Sequence, residues 1–171
     1  SEKLLKFISE LFSDANLSLS DLDAIAVSMG PGSYTGLRIG VSTAKGLCYG
    51  LDIPLISIST LKAMSFGMAL EIKADLYCPM IDARRMEVYS AFFDKNNTEV
   101  RKIQADIIDE NSYKKELDKK VVFFGDGSEK IKEKIKHKNA MFISNIHPSA
   151  KNMGLISYQK FTKSLFEDLA Y

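Results

Sequence analysis

The amino-acid sequence predicts an α/β protein with two lobes, and two observations carry this prediction. Between residues 1 and 75, short apolar runs alternate with segments whose apolar residues recur at helical spacing. This alternation is typical of parallel strands covered by helices. From residue 76 onward the chain is richer in strand-like runs separated by short turns, which is typical of hairpins. We therefore assign residues 1–75 to an N-terminal lobe and residues 76–171 to a C-terminal lobe.

The elements of the N-terminal lobe follow from its hydrophobic pattern. The helix expected at residues 35–51 has apolar side chains at the spacing i, i+4, i+7, i+11 and i+14, which places them on one face. Ser59 stands where an N-cap is needed for the next helix. The predicted strands are residues 23–29 and 54–58, and the predicted helices are residues 1–14, 35–51 and 60–72.

The C-terminal lobe is expected to begin with a hairpin. Residues 82–85, with the sequence Asp-Ala-Arg-Arg, join its first two strands, and Ser149 is placed to cap a last helix. The predicted strands are residues 76–81, 86–93, 100–104, 121–124 and 140–143. The predicted helices are residues 105–117, a segment after Gly127, and residues 149–170.

Charge and cysteine content limit the class of protein. The chain has 23 basic and 22 acidic residues, so its overall charge gives no drive toward nucleic acid or membranes. Lysines cluster at residues 114–120 and 130–138, with a spacing that favours the solvated face of a helix over a surface that binds nucleic acid. Cys48 and Cys78 match no metal-ligand spacing, and reduced thiols indicate the cytoplasm.

Residues 30–40 form the most informative stretch, because four glycines and a proline stand between an apolar run and a helical pattern. Glycine tolerates positive φ, and free N–H groups at the start of a helix attract anions. A phosphate-handling turn and a turn that binds nothing fit the composition equally, and the stretch matches neither a P-loop nor the dinucleotide fingerprint. The candidate anion-binding residues are Gly30, Gly32, Ser33, Thr35, Gly36 and Arg38.

The residues that carry chemistry form no catalytic constellation. His137 and His147 are the two histidines, so the chain has no His-x-x-x-His metal pair, and a Ser–His–Asp triad would depend on one of them. We therefore predict no catalytic residue and no metal site. The charged cluster at residues 82–87 is interpreted first as a hairpin tip and second as an anion or partner contact. Residues 125–127 are interpreted first as a tight turn and second as a phosphate loop.

Residues 27–41, together with later segments in the same order, resemble the signature of TsaB (YeaZ-type) proteins of bacterial tRNA threonylcarbamoyladenosine synthesis. The resemblance covers nearly the whole chain, and it implies the two-lobed fold of the actin-like, sugar-kinase and Hsp70 (ASKHA) superfamily. The later segments are Ala44-Lys45-Gly46-Leu47, Ile53-Pro54-Leu55 with Ser59-Thr60-Leu61, Pro79-Met80-Ile81-Asp82-Ala83-Arg84-Arg85-Met86-Glu87-Val88-Tyr89, Gly125-Asp126-Gly127 and His147-Pro148-Ser149-Ala150.

The resemblance also implies a function. A TsaB protein is a non-catalytic subunit that binds the catalytic subunit TsaD, and their complex moves a threonylcarbamoyl group onto an adenosine of tRNA. TsaE is a further partner, and tRNA is reached indirectly through the complex. No cofactor is expected in the isolated chain, while ATP or ADP at the subunit junction stays open. The His-x-x-x-His pair of TsaD has no counterpart here, so a transferase site like that of TsaD is not expected. The alternative function is an independent ATP-binding phosphotransferase of the same superfold, with residues 30–36 and 125–127 as its two phosphate loops.

Family members carry about three strands before the first helix of this chain and continue past its end, so we expect a chain truncated at both ends. The lost strands should leave a sheet edge open to pairing with another chain. In the family the first two helices form the interface with TsaD, and without TsaD the same surface should form a homodimer. The apolar stripe of the first helix is wider than one core contact requires. The expected interface residues are Leu4, Phe7, Ile8, Leu11, Gly36, Gly40, Thr43 and Leu47.

Overall fold

The computed structural model describes residues 2–170, which divide into two compact units. The first comprises the described residues up to Ile58 together with those from Gly154 onward, and the second comprises Ser59–Met153. The boundary expected at residue 75 is therefore corrected. The third helix belongs to the second unit, because its apolar side chains pack into the core of that unit's sheet. The last helix belongs to the first unit.

The first unit has a small sheet and three helices. The helices are α1 (Glu2–Ala15), α2 (Tyr34–Leu51) and α4 (Gly154–Phe161). Strands β1 (Ile25–Gly30) and β2 (Leu55–Ser59) pair with each other. Helix α2 begins after its N-cap Ser33 and closes on its C-cap Asp52, whose left-handed backbone has φ 55°. Ala44, Cys48 and Leu55 form a buried cluster in this unit, with partly buried side chains around them, and Ile56, Ile58 and Ile156 are buried as well.

The second unit contains a five-stranded sheet. The strands are β3 (Leu76–Asp82), β4 (Glu87–Asp94), β5 (Glu99–Ile107), β6 (Val121–Phe124) and β7 (Ala140–Ile143). They lie in the order β5-β4-β3-β6-β7. Strand β3 runs antiparallel to β4 and parallel to β6, and β6 runs parallel to β7. Alternate residues of β3 enter two separate cores, one of which also holds the apolar side chains of helix α3 (Thr60–Glu71).

Three predicted helices differ from the structure. Residues 105–107 continue β5, because the pairing of β5 with β4 extends to the partners Glu87 and Ile107. The rest of the segment to 117 forms turns and a 3-10 turn that begins at Glu116, so the helix predicted at residues 105–117 is wrong. After Gly127 the chain forms only the 3-10 turn Glu129–Ile131.

The last helix is shorter than predicted. Residues Ala150–Met153 form a 3-10 turn, and α4 ends at Phe161 rather than near residue 170. The N–H of Leu165 donates to the carbonyl of Lys160 at 3.0 Å, and that of Glu167 donates to Leu55 on β2 at 2.9 Å. The chain therefore leaves the helix to pair with a strand. The remaining predicted elements agree with the structure to within a few residues.

A polar network joins the strands of the second unit. The Arg101 guanidinium donates to the Asp106 carboxylate and, at 3.0 Å, to the Ser90 hydroxyl. The Tyr113 hydroxyl donates to Asp106 at 2.8 Å. Burial raises the pKa of Tyr113, so the phenol stays protonated. Because its members satisfy one another in a mostly buried position, this network holds the irregular segment after β5 against the sheet.

Candidate functional site

The glycine-rich turn links β1 to α2 through a tightly folded backbone. Gly30 has φ +103°, a conformation that side chains rarely adopt, and it is followed by a cis peptide bond to Pro31. The side chain of Leu37 folds back so closely that a Cβ on Gly30 would lie 3.2 Å from its Cδ1 atom. Glycine at position 30 therefore has a structural reason whether or not the turn binds a ligand.

Ser33 closes the turn onto the helix. Its hydroxyl accepts the N–H of Gly36 at 3.3 Å, and its carbonyl accepts the N–H of Leu37 at 2.8 Å. The N–H of Gly36, one of the free N–H groups at the start of the helix that an anion would use, is therefore already engaged, while the bond from Leu37 is the first regular hydrogen bond of the helix. Of the six predicted anion-binding residues, only Gly30 is buried, so the structure gathers them in one exposed turn and the first helical turn after it.

Arg38 lies on the outside of the first turn of α2. Its guanidinium carbon is 4.2 Å from the ring centroid of Tyr34, a cation–π distance. Tyr34 itself is 69% exposed. Arg38 and Tyr34 thus form a cation–π pair on the exposed side of the first turn of α2.

Helix α1 presents an apolar surface to solvent. Phe7 and Leu11 are 61% and 66% exposed, while Leu4 and Ile8 are half-buried. Leu5, which was not among the predicted interface residues, is 51% exposed. Four of these five side chains were predicted for the interface, and within the first unit they remain at least partly uncovered.

The glycines of α2 do not share one environment. A Cβ on Gly40 would lie 3.9 Å from the Val27 side chain of β1, so this glycine faces the strand beneath the helix. Gly36 lies against its own cap, 3.4 Å from the Cβ of Ser33. Gly46 and Gly50 face open space. Gly40 thus faces β1 with room for a Cβ at an ordinary contact distance, and Gly46 is an open helix glycine that the interface prediction omitted.

Thr43 and Leu47, the other two predicted interface residues of α2, are half-buried. They flank the face that carries the buried Ala44 and Cys48. Part of each side chain is therefore available beside the helix–sheet contact.

The charged cluster at residues 82–87 is a hairpin tip. Asp82 accepts the backbone N–H of Arg84 at 2.6 Å, and Lys130 donates both to the Asp82 carboxylate and, at 2.8 Å, to the carbonyl of Arg85. The hydrogen bond from Lys130 lowers the pKa of Asp82. Arg84 and Arg85 have φ 70° and 48°, and their side chains are exposed.

Residues 125–127 form the tight turn that was the first interpretation. Gly125 has φ +96°, and a Cβ there would lie 2.1 Å from the carbonyl oxygen of Met80. Asp126 accepts the N–H of Asp82 at 3.0 Å, and the hydroxyl of Ser128 donates to the carbonyl of Gly125 at 2.7 Å. The polar groups of this turn are therefore used within the second unit, and the turn is followed by no α-helix that could offer an N-terminus to phosphate.

His137 and His147 are both exposed. The Nδ1 atom of His137 accepts the backbone N–H of Asn139 at 3.2 Å. Across residues 2–170, no group of three or more His, Cys, Asp and Glu side chains is arranged to hold a metal ion. No helix in the same range is long and apolar enough to cross a membrane.

A groove of about 360 Å³ in the first unit was not anticipated. Its walls include Asp21 and Ala26 near β1 and Tyr158 and Phe161 on α4. No sequence pattern marks it, because its two walls come from opposite ends of the chain.

Comparison with known proteins finds that the chain is similar to proteins named for one tRNA modification. A sequence profile for the family described as "TsaD: tRNA N6-adenosine threonylcarbamoyltransferase" matches residues 1–171. The chain is 37% identical over 95 residues to the tRNA threonylcarbamoyladenosine biosynthesis protein TsaB of Escherichia coli K12, covering 56% of this chain and 41% of that protein. The TsaB protein of Bacillus subtilis 168 is 35% identical over 130 residues, covering 73% of this chain and 56% of that protein.

A further relative is matched over most of its length. The TsaB protein of Buchnera aphidicola subsp. Baizongia pistaciae is 31% identical over 169 residues, covering 92% of this chain and 76% of that protein. Among solved structures, YeaZ from Pseudomonas aeruginosa superposes with a TM-score of 0.82 at 21% identity, covering 99% of this chain and 81% of that one. The fold is thus that of YeaZ, while this chain spans only 41% and 56% of the Escherichia and Bacillus relatives.

Proposed function

Because the chain belongs to the TsaD-type family, and within it to the TsaB (YeaZ-type) group, we propose that it is a non-catalytic subunit in the formation of threonylcarbamoyladenosine in tRNA. In this role it binds and supports the catalytic subunit TsaD. The observation that carries the proposal, beside family membership, is the uncovered apolar surface of α1.

The α1 surface has the composition of a protein-binding face. Phe7 and Leu11 are about two-thirds exposed, and Leu5 lies in the same helix. A run of large apolar side chains on one helix is costly to leave in water and marks an interaction site. Half-buried Thr43 and Leu47 on α2 offer small and medium-sized contacts to a helix from a partner. Without TsaD, the same surface would pair with a second copy of this chain.

The non-catalytic role is supported by the residues that the chain offers. Its two histidines, at positions 137 and 147, are exposed and lack the His-x-x-x-His spacing, whereas the transferase chemistry implied by the resemblance needs a paired metal site. The glycine-rich turns are closed by their own side chains, as described above, and match no nucleotide-binding fingerprint. In this proposal, ATP or ADP binds at the junction of the chain with TsaD. TsaE binds the assembled complex, which acts in the cytoplasm.

The fold proposal follows the same lines. An α/β chain of two units, each with its own sheet, is compatible with the two-lobed actin-like, sugar-kinase and Hsp70 superfold. The YeaZ-like fold supports this assignment.

The test is a binding measurement between the full chain and the TsaD subunit encoded in the same genome. We expect a stable complex by size-exclusion chromatography and calorimetry, and threonylcarbamoyl transfer to tRNA only when TsaD is present. The chain alone should hydrolyse no ATP. Absence of a complex would overturn the subunit role, and steady-state ATP hydrolysis that disappears on changing Arg38 or Asp126 would support the phosphotransferase instead.

A further inference from the structure

A lysine-rich surface lies at one edge of the five-stranded sheet. We define the lysine surface as residues 114–120 and 132–138. Because β3, β6 and β7 are parallel, with Leu76 paired to Val121 and Val121 paired to Ala140, all three strands begin at this edge. The two lysine-rich segments immediately precede β6 and β7, so the sheet brings them side by side.

Hydrogen bonds hold the two segments together. The Asn139 side chain donates to the carbonyl of Leu117 at 2.9 Å, and the N–H of Val121 donates to the carbonyl of Asn139 at 2.9 Å. The N–H of Lys120 donates to the carboxylate of Asp75, also at 2.9 Å. The strand pairing and these hydrogen bonds together fix the spacing of the two segments.

Two isoleucines determine which way the lysines face. Ile131 and Ile135 are 0% and 4% exposed and belong to the core of the second unit. The backbone turns between them, since the N–H of Ile135 donates to the carbonyl of Ile131 at 3.0 Å. With both isoleucines buried, the lysines between and after them project into solvent.

The lysine surface carries a clear excess of positive charge. It contains eight lysines, all exposed, against Glu116, Asp118 and Glu133. Lys6, Lys130 and Lys160, which form ion pairs with Glu10, Asp82 and Glu167, lie outside this surface. The Lys114 ammonium group donates to the Asn111 side chain, and all eight lysines are exposed to a polyanion in solution.

The structure also removes the reason for regarding these lysines as the solvated face of a helix. No α-helix forms between residues 105 and 139. The lysines instead stand on turns fixed to the edge of a sheet, where they form one patch built from two separate segments.

We propose that the lysine surface binds the phosphate backbone of tRNA directly. This inference rests on the proposed function, which makes tRNA the nucleic acid at hand, and extends it from indirect to direct contact. Phosphate contacts from lysine supply affinity that is independent of base sequence and falls with salt. A membrane is the poorer partner, because among residues 108–140 no large apolar side chain is exposed enough to insert into lipid.

The test compares the wild type with two triple variants of the full chain. Fluorescence anisotropy measures their binding to an unmodified tRNA transcript at several salt concentrations. The surface variant is Lys119→Ala, Lys136→Ala and Lys138→Ala. The matched control is Lys102→Ala, Lys151→Ala and Lys163→Ala, three exposed lysines outside the surface.

Each lysine that neutralises a phosphate should contribute about a three-fold decrease in affinity between about 50 and 200 mM salt. Between about 50 and 200 mM salt, the factor by which the wild type loses affinity should therefore be about 30 times larger than the factor for the surface variant. At low salt the surface variant should bind the transcript more weakly than the wild type. The control variant should stay within about two-fold of the wild type.

The proposal is overturned if the wild-type chain does not bind the transcript at low salt, or if both variants weaken binding equally. It is also overturned if binding to phosphatidylserine vesicles, and not to tRNA, depends on the three surface lysines. Binding of the surface variant to TsaD is measured in parallel. Normal TsaD binding with unchanged tRNA binding rejects this inference alone, whereas failure of the wild type to bind TsaD rejects the proposed function.

Discussion

Truncation of Phe7 and Leu11 to alanine should weaken binding to TsaD without unfolding the chain. Full burial of a side chain of this size contributes about 1.5–3 kcal/mol. Phe7 and Leu11 keep 61% and 66% of their surface exposed, so about 1–2 kcal/mol each remains to be gained when a partner covers them. Each single variant should bind about 5- to 30-fold more weakly, since about 1.4 kcal/mol corresponds to a factor of ten.

The stability of these variants should change little. Only about a third of either side chain is buried, and alanine is the better helix former, so the free energy of unfolding should fall by less than about 1 kcal/mol. Isothermal titration calorimetry with TsaD measures the affinity, and urea denaturation measures the stability. Ile107→Ala is the matched control, because Ile107 is 80% exposed on β5 of the other unit. Wild-type affinity in both helix variants, with folded circular dichroism spectra, would place the interface elsewhere.

Three further predictions concern the second unit. Replacing Asp106 by alanine should lower the free energy of unfolding, measured by urea denaturation, by about 3 kcal/mol, because the mostly buried Arg101 loses its carboxylate partner. A decrease under about 1 kcal/mol would contradict this account of the network. Gly125→Ala should lower the free energy of unfolding by more than about 2 kcal/mol, because φ at this position is positive and the new Cβ would meet the backbone of Met80. Gly67→Ala should lower it little, because the amide end of the flexible Asn152 side chain can move away. Equal melting temperatures for the two variants would refute this distinction. The hydrogen bond from Lys130 lowers the pKa of Asp82, so this pair stabilises the fold above the ordinary aspartate pKa, and the stabilisation disappears as the pH falls through the lowered value. Between about pH 7 and pH 3 the free energy of unfolding should therefore decrease more for the wild type than for Lys130→Met, by less than about 1 kcal/mol because the pair is partly exposed. Equal decreases for the two proteins would count against the pair.

Elements with local signals could be predicted from the sequence. The cap at Ser59 stands where the pattern placed it, and its hydroxyl accepts the N–H of Lys62. Capping and apolar periodicity depend on residues within one or two helical turns of each other, so the local sequence is enough to predict the helices that they define. The family signature is likewise contained in short segments.

The segment after β4 shows where local reading fails. Residues 105–107 were expected to begin a helix, but they pair with β4, and Asp106 is held by Arg101 and Tyr113. The helix predicted after Gly127 is replaced by a 3-10 turn and further turns, with Ile131 and Ile135 in the sheet core. Contacts with distant strands outweighed helix propensity, which is a weak preference in either case.

Some features of the candidate site follow from the sequence alone, and others depend on the tertiary structure. The sequence by itself determined the exposed turn at residues 30–36, the apolar stripe of α1 and the two lysine clusters, because composition and spacing along one segment are enough to define each of them. Only the tertiary structure decided that Gly40 faces β1, that α3 belongs to the second unit, and that the two lysine clusters form one surface. The physical reason is that which neighbours meet is set by sheet register and core packing, and these join residues whose separation along the chain carries no local signal.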